Sequence, residues 1–288
     1  MRYLAAVSWQ TWLGLAALLA LAGAGAYGYT GVSGTVSATA SSTAELEQKI
    51  TSLSDQLYAT QQGLAAVQER LGGFENRVGD ISGTVDVLEK LRNTDRELLQ
   101  KYSKVFFLNE HYAPPRLEQI EKEYTYNEAR PERVHAQVAG YLEDMLNDAQ
   151  DDGVDIYVRS SYRSFEEQKA LKSAYTVTYG AGSANAFSAD QGYSEHQLGT
   201  TLDLSASRQE GLVEAFDKTK AFEWLKDNAH KYGFVLSYPK GNSYYMYEPW
   251  HWRFVGIELA SDLHKKGKYF YDLEQREIDE YLPGIFDK

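Results

Sequence analysis

The chain has no cysteine, which removes disulfide frameworks, thiolate metal sites and cysteine nucleophiles together. Any metal must be held by His, Asp or Glu. Positive charge is also scarce: 29 Lys and Arg stand against 41 Asp and Glu, for a formal net charge of -12. Phosphate neutralisation needs clustered basic residues that no segment supplies, so nucleic acid is excluded as a partner. What is present is 288 residues with 43% hydrophobic content, enough for one large domain or a medium one with appendages. The pattern along the chain favours appendages.

Residues 1–29 carry one basic residue, Arg2, and then a mostly apolar run from Trp12 to Ala26. This is an export or anchoring segment. Ala22, Ala24 and Ala26 could form a processing site, whereas Trp9, Trp12, Tyr27 and Tyr29 suit the two interfaces of a retained span. The reading adopted is an uncleaved anchor with the rest of the chain outside the cytoplasm. Residues 30–43, rich in Gly, Ser, Thr and Ala, lack apolar periodicity and are expected to be a flexible linker. In residues 44–100 apolar residues recur at alternating spacings of four and three, from Leu46, Ile50 and Leu53 to Val85 and Leu88, with Thr60 as the one polar member. Such a seam, held for about six heptads, predicts a coiled-coil stalk joined to a second copy or a partner helix. An amphipathic helix lying on its own domain is the alternative.

The globular domain is expected over residues 101–288. A helix is predicted from Pro131, a strand over VDIYVRSS, a helix capped by Ser164, and a loop over 180–192. Strands near 199–205, 234–238 and 244–255 and helices over 220–232 and 257–266 follow. Strands separated by long irregular stretches argue α+β rather than repeated βαβ units.

Of six histidines, chemistry selects two. His196 and Asp203 are seven apart with Gly199 between them, and His251 ends the EPWH segment. Two imidazoles and a carboxylate make the donor set of an open zinc site with room for a water. Glu248, made extended by Pro249, can stand beside the metal as a general base for a water whose pKa zinc lowers to about 7.

Three segments carry a family resemblance: SSYRSFEEQ (160–168), SEHQLGTTLDL (194–204) and EPWHWRFVG (248–256). Together they resemble the VanY-type D-alanyl-D-alanine carboxypeptidases of the LAS zinc metallopeptidases. The pattern S-x-H-x-x-G-x-A-x-D falls on Ser194, His196, Gly199, Thr201 and Asp203, with Thr201 in place of the usual alanine. Asp190-Gln191-Gly192 stands where a proline before the glycine is expected. The resemblance implies a small α+β zinc peptidase domain with a central antiparallel sheet. It places Zn2+ on His196, Asp203 and His251, with Glu248 as base. Arg163 would stabilise the oxyanion or grip the substrate's terminal carboxylate, a role its guanidinium fork suits. Gln168 and Ser194, and more weakly Ser161 and Tyr162, become substrate contacts. Glu195 is expected to be structural or electrostatic. The implied activity is removal of the C-terminal D-Ala from peptidoglycan stem peptides. The alternatives are an L,D-carboxypeptidase, an endopeptidase, or a non-catalytic wall-binding regulator.

Overall fold

The structure, a computed structural model, describes residues 9–102, 106–209 and 214–288; Arg2 lies outside them. The chain divides into two compact units, Met1–Ile81 and Ser82–Lys288.

The described residues of the first unit are helix. α1 runs unbroken over Trp9–Asn93 and buries no residue. Residues 31–43, expected to be a flexible linker, are therefore helical. The alanines there carry high helix propensity, and Thr35, Thr39 and Thr43 satisfy their hydroxyls on carbonyls of the preceding turn, as threonines within a helix do. α1 is long and apolar enough near its N-terminal end to cross a membrane.

The globular unit starts upstream of residue 101. Leu91 packs against its core, and Leu98 and Leu99, on a 3-10 turn, belong to that core. Two short strands, β1 (Leu117–Gln119) and β2 (Arg133–His135), pair antiparallel. That pairing overturns the helix start at Pro131. The backbone after Pro131 is engaged elsewhere, since Glu132 O accepts from Ile120 N–H and Ser161 Oγ accepts from Arg133 N–H. The helix α2 begins only at Ala136 and ends at Asp151.

The main sheet contains β3 (Tyr157–Ser160), β4 (Thr201–Ser205), β5 (Phe234–Leu236) and β6 (His251–Phe254) in the order β3-β4-β6-β5, every pair antiparallel. Between β3 and β4 stand α3 (Phe165–Tyr179), opened by a Ser164–Glu167 capping box, and α4 (Ala181–Phe187). α4 replaces the expected loop; Lys172 of α3 donates to the carbonyls of Ala184 and Ser188 and so ties down its C-terminal end. α5 (Lys220–Asn228), α6 (Ile257–Lys266) and α7 (Gln275–Asp279) complete the unit.

Strand alternation divides the labour. Leu202 and Leu204 of β4 and Trp252 and Phe254 of β6 enter the apolar core with Val138, Leu142 and Met145 of α2. The intervening residues, Thr201, Asp203, His251 and Arg253, share the opposite face and are also buried. A polar set buried on that scale needs internal partners.

Candidate metal centre

Asp203 and His251 are direct cross-strand partners on β4 and β6. Opposed residues of an antiparallel pair project to one face, so two of the expected ligands meet through register alone. The third comes from a tight turn. A 3-10 helix, Glu195–Leu198, ends at Gly199, which has a left-handed φ of 70°. A Cβ there would lie 3.1 Å from Pro114 Cγ and 3.2 Å from His135 N, so both conformation and space require glycine. The turn sets His196 Nε2 at 3.3 Å from Asp203 Oδ2. One donor atom from each of His196, Asp203 and His251 lies within 4.8 Å of the other two.

The outer hydrogen bonds decide which nitrogens face inward. His196 Nδ1 is 2.8 Å from Ser161 O; a carbonyl only accepts, so Nδ1 carries the proton and Nε2 keeps its lone pair. His251 is turned the other way, with Nε2 at 2.9 Å from Glu195 Oε2 and Nδ1 at 3.1 Å from Asp203 Oδ1. Burial works against a charged His251, yet its hydrogen bonds to Asp203 and Glu195 push its pKa up to about 10. Burial keeps His196 below the ordinary range although Asp203 opposes it. Asp203, which burial would raise, is held far below the carboxylate range by His196 and His251. In the metal-free protein His251 is thus an imidazolium whose Nδ1 proton points at Asp203. A dication fits where that proton stands. Two imidazoles with their outer N–H groups tied to acceptors, plus one carboxylate, form a donor set suited to zinc.

Glu248 sits on the turn entering β6. Its N–H donates to Tyr238 O at 3.1 Å and its carbonyl accepts from His251 N–H at 3.1 Å. The carboxylate is 3.7 Å from His251 Nδ1, beside the cluster. Burial pushes its pKa up to about 8; His251 opposes this, while Asp203 and Glu195 add to it. A buried carboxyl with affinity for a proton near neutral pH is suited to taking and returning one.

Arg163 follows β3. Its Nη1 donates to Gln168 Oε1 and its Nη2 to Ser160 Oγ, both at 2.7 Å, and its backbone N–H donates to His196 O at 3.2 Å. These bonds fix the fork and leave other donors of the guanidinium available. Arg163, Gln168 and Ser194 line one cavity of about 470 Å3 with His196, Asp203, His251 and Glu248. Ser161 and Tyr162, expected as substrate contacts, do not line it. Ser161 Oγ donates to Glu132 Oε2 at 2.6 Å and accepts from Arg133 N–H at 2.9 Å, while the Tyr162 ring lies 5.5 Å from the Arg133 guanidinium. The exclusion follows from an irregularity in β3: the register shifts between Val158 and Ser160, which turns Ser160 toward Arg163 and leaves the next side chain, Ser161, facing Glu132. The Ser161 carbonyl, rather than its hydroxyl, serves the site by orienting His196.

The deepest support comes from Glu195 and Arg253, both fully buried. Glu195 accepts from Arg253 Nη1 at 2.8 Å, from Ser237 Oγ at 2.7 Å and from Tyr271 at 2.6 Å, besides orienting His251. Arg253 Nη2 reaches the carbonyls of Leu98 and Gln100. Burial would raise the Glu195 carboxyl, but Arg253 and His251 outweigh it and hold it well below the ordinary range. Tyr238 stacks on the His251 ring, centroids 4.4 Å apart and planes at 14°. Neither Arg253, within the EPWHWRFVG segment, nor Tyr238, at the end of an expected strand, was expected at the site. The available signal was that Arg253 stands two residues beyond His251 on a strand, and so on the same face.

Comparison with known proteins converges on this region. Residues 131–257 match the family VanY, D-alanyl-D-alanine carboxypeptidase. The chain is 36% identical over 182 residues to YodJ of Bacillus subtilis, a protein named as a carboxypeptidase, covering 61% of this chain and 66% of that one. It is 32% identical over 148 residues to a D-alanyl-D-alanine carboxypeptidase of Enterococcus faecalis, covering 47% and 53%. The match thus spans about half to two thirds of these relatives' length. Among solved structures, the LdcB LD-carboxypeptidase superposes with a TM-score of 0.55 at 31% identity, covering 62% of this chain and 84% of that one.

Proposed function

The chain belongs, through residues 131–257, to the VanY family of D-alanyl-D-alanine carboxypeptidases, and from that premise we propose that it is a zinc carboxypeptidase removing the C-terminal D-Ala from peptidoglycan stem peptides. The observation that carries this reading is the convergence, in one cavity, of the three-donor cluster, the buried Glu248 and the fixed Arg163 fork. Zinc held by His196, Asp203 and His251 would supply a Lewis acid and a water acidified to a pKa of about 7.

The rest is the work of the chain's own side chains. Glu248 takes the proton from the attacking water and passes it to the leaving amine. Arg163 pairs with the terminal carboxylate of the peptide, which makes the site one for chain ends rather than internal bonds. Gln168 and Ser160 hold the fork, and Gln168 is itself braced by donating to Ala189 O at 2.7 Å. Glu195 keeps His251 Nε2 protonated and its Nδ1 directed inward.

The likeness to the LdcB LD-carboxypeptidase favours a second reading, with tetrapeptide stems as substrate. Incubating the zinc-loaded protein with pentapeptide and tetrapeptide muropeptides and following alanine loss by mass spectrometry separates them. Loss from the pentapeptide alone supports the main reading, and loss from the tetrapeptide alone supports the second. Loss from neither sinks both.

The apolar N-terminal part of α1 acts as a membrane anchor, with Trp9 and Trp12 at one interface and Tyr27 and Tyr29 at the other. Peptidoglycan substrates put the globular unit outside the cytoplasm. The apolar seam of α1 is covered by another helix.

A further inference from the structure

Numbering the seam of the first unit as heptads puts Ile50, Leu57, Leu64, Leu71 and Val78 at a, and Leu46, Leu53, Thr60, Val67, Phe74 and Ile81 at d. Every apolar member is between 48% and 65% exposed, a row of large hydrophobic side chains far longer than isolated surface residues account for. Four glycines lie within the same stretch, Gly63, Gly72, Gly73 and Gly79, and no side chain packs where their Cβ atoms would be. Each costs about 1 kcal/mol of helix propensity relative to Ala. A lone helix of this composition gains nothing to offset that loss.

The residues flanking the seam are sorted by sign. At the g positions every charged residue is basic: Lys49, Arg70 and Arg77. At the e positions every charged residue is acidic: Glu47 and Glu75. In a parallel pair of helices the g flank of one chain faces the e flank of the other, five residues further on, so Arg70 meets Glu75 of a second copy on both sides of the seam. In an antiparallel pair g faces g, and one flank collects only positive charge. The core agrees with the flanks. Thr60 is the single polar layer, and its hydroxyl is satisfied by Gln56 O at 2.7 Å. It interrupts a parallel, in-register core once, against itself. A shifted or antiparallel core meets it twice, each time against an apolar residue.

We propose that this face is an interface between copies of the chain, parallel and in register over Leu46 to Ile81. The proposal rests on α1 being a coiled-coil strand and is independent of the catalytic reading. The anchoring proposed above would orient every copy alike and so permits only the parallel arrangement.

The absence of native cysteine makes the test clean. Leu53→Cys, Ile81→Cys and Gln62→Cys, the last at an outward f position, are each introduced into the full chain in detergent micelles and mildly oxidised. Leu53→Cys and Ile81→Cys should each yield covalent dimer on non-reducing gels, and Gln62→Cys should not. Dimer only when the first two are mixed would establish an antiparallel pair and overturn the proposal. No dimer from any variant would assign the seam to a different partner, and equal linking at Gln62→Cys would reduce the result to collision; both also overturn it. Should a core cysteine disturb the helix, charge exchange gives a second route. Arg70→Glu alone should weaken self-association roughly tenfold, and mixing it with Glu75→Arg should restore association. Failure of the mixture to recover contradicts the parallel register.

Discussion

The two units break the usual distribution of residues in opposite ways. Along Met1–Ile81 large apolar side chains stand outside, with Leu53 63% and Phe74 64% exposed, whereas in Ser82–Lys288 the fully charged pair Glu195 and Arg253 is 0% exposed. Apolar residues on a surface and charges in an interior are the informative departures. The first is the face proposed above to meet another copy of the helix, and the second surrounds the three-donor cluster suited to a metal. The difference also says where stability resides. In the globular unit Glu195 and Arg253 answer each other's charge inside the protein, while the described part of α1 leaves its apolar face exposed.

If that contrast is correct, substitutions should separate by unit. The largest stability effect is expected at Glu195. Glu195→Ala leaves Arg253 buried without its carboxylate and should cost about 3–5 kcal/mol, read as a drop in the denaturation midpoint; a loss under 1 kcal/mol would mean that the network is not closed. Arg253→Met should cost less than Glu195→Ala if Glu195 keeps its bonds from Ser237, Tyr271 and His251.

Next in size is a pH effect. His251 in the metal-free protein has a pKa raised to about 10 and Glu248 one raised to about 8. Both make the folded state hold protons that the unfolded chain has already released. The His251 contribution is therefore fully present below pH 6.5 and lost as pH rises through 10, and Glu248 adds a fall between its ordinary pKa and 8. Below about pH 6.5 the lowered pKa of His196 works the other way, so the metal-free melting temperature should decline from about pH 7 to 10. Zinc uptake at pH 7 should release about one to two protons, measured by calorimetry in buffers of different ionisation enthalpy. Uptake without proton release would remove His251 from the ligand set.

A smaller gain is expected at Thr201, whose hydroxyl is buried with no protein partner. Thr201→Val keeps the shape and should stabilise by about 1 kcal/mol, visible as a higher denaturation midpoint. The smallest effect belongs to the helix: Leu57→Ala should leave the globular unit's unfolding within about 0.5 kcal/mol of the parent. A larger shift would mean that the seam serves the globular unit after all.

What the sequence disclosed, and what it did not, follows the range of the interactions. His196, Gly199 and Asp203 are joined by a local turn and strand, and Glu248 and His251 by another, so their proximity was legible from spacing. Ser164 as helix cap was legible for the same reason, and α6 was expected over the span it occupies. Pairings between distant segments were not. The partnership of Arg253 with Glu195 and with the carbonyls of Leu98 and Gln100 arises only when the sheet closes, and it places Leu98 and Leu99 in the core of a unit expected to start later. Residues 31–43 misled because small and hydroxylated residues suit a linker and a helix alike; here threonine side chains bonding back to the preceding turn accompany the helix. Ser161 misled through its position in a motif: the backbone carbonyl faces the histidine while the side chain turns to Glu132.

The central claim, that Glu248 moves the proton at a centre held by His196, Asp203 and His251, is tested most directly by Glu248→Ala. Zinc content and alanine release from muropeptides are measured on one preparation. The account predicts one zinc per chain, as in the parent, with turnover reduced at least about 100-fold. A variant that keeps its zinc and releases alanine at the parent rate would contradict it.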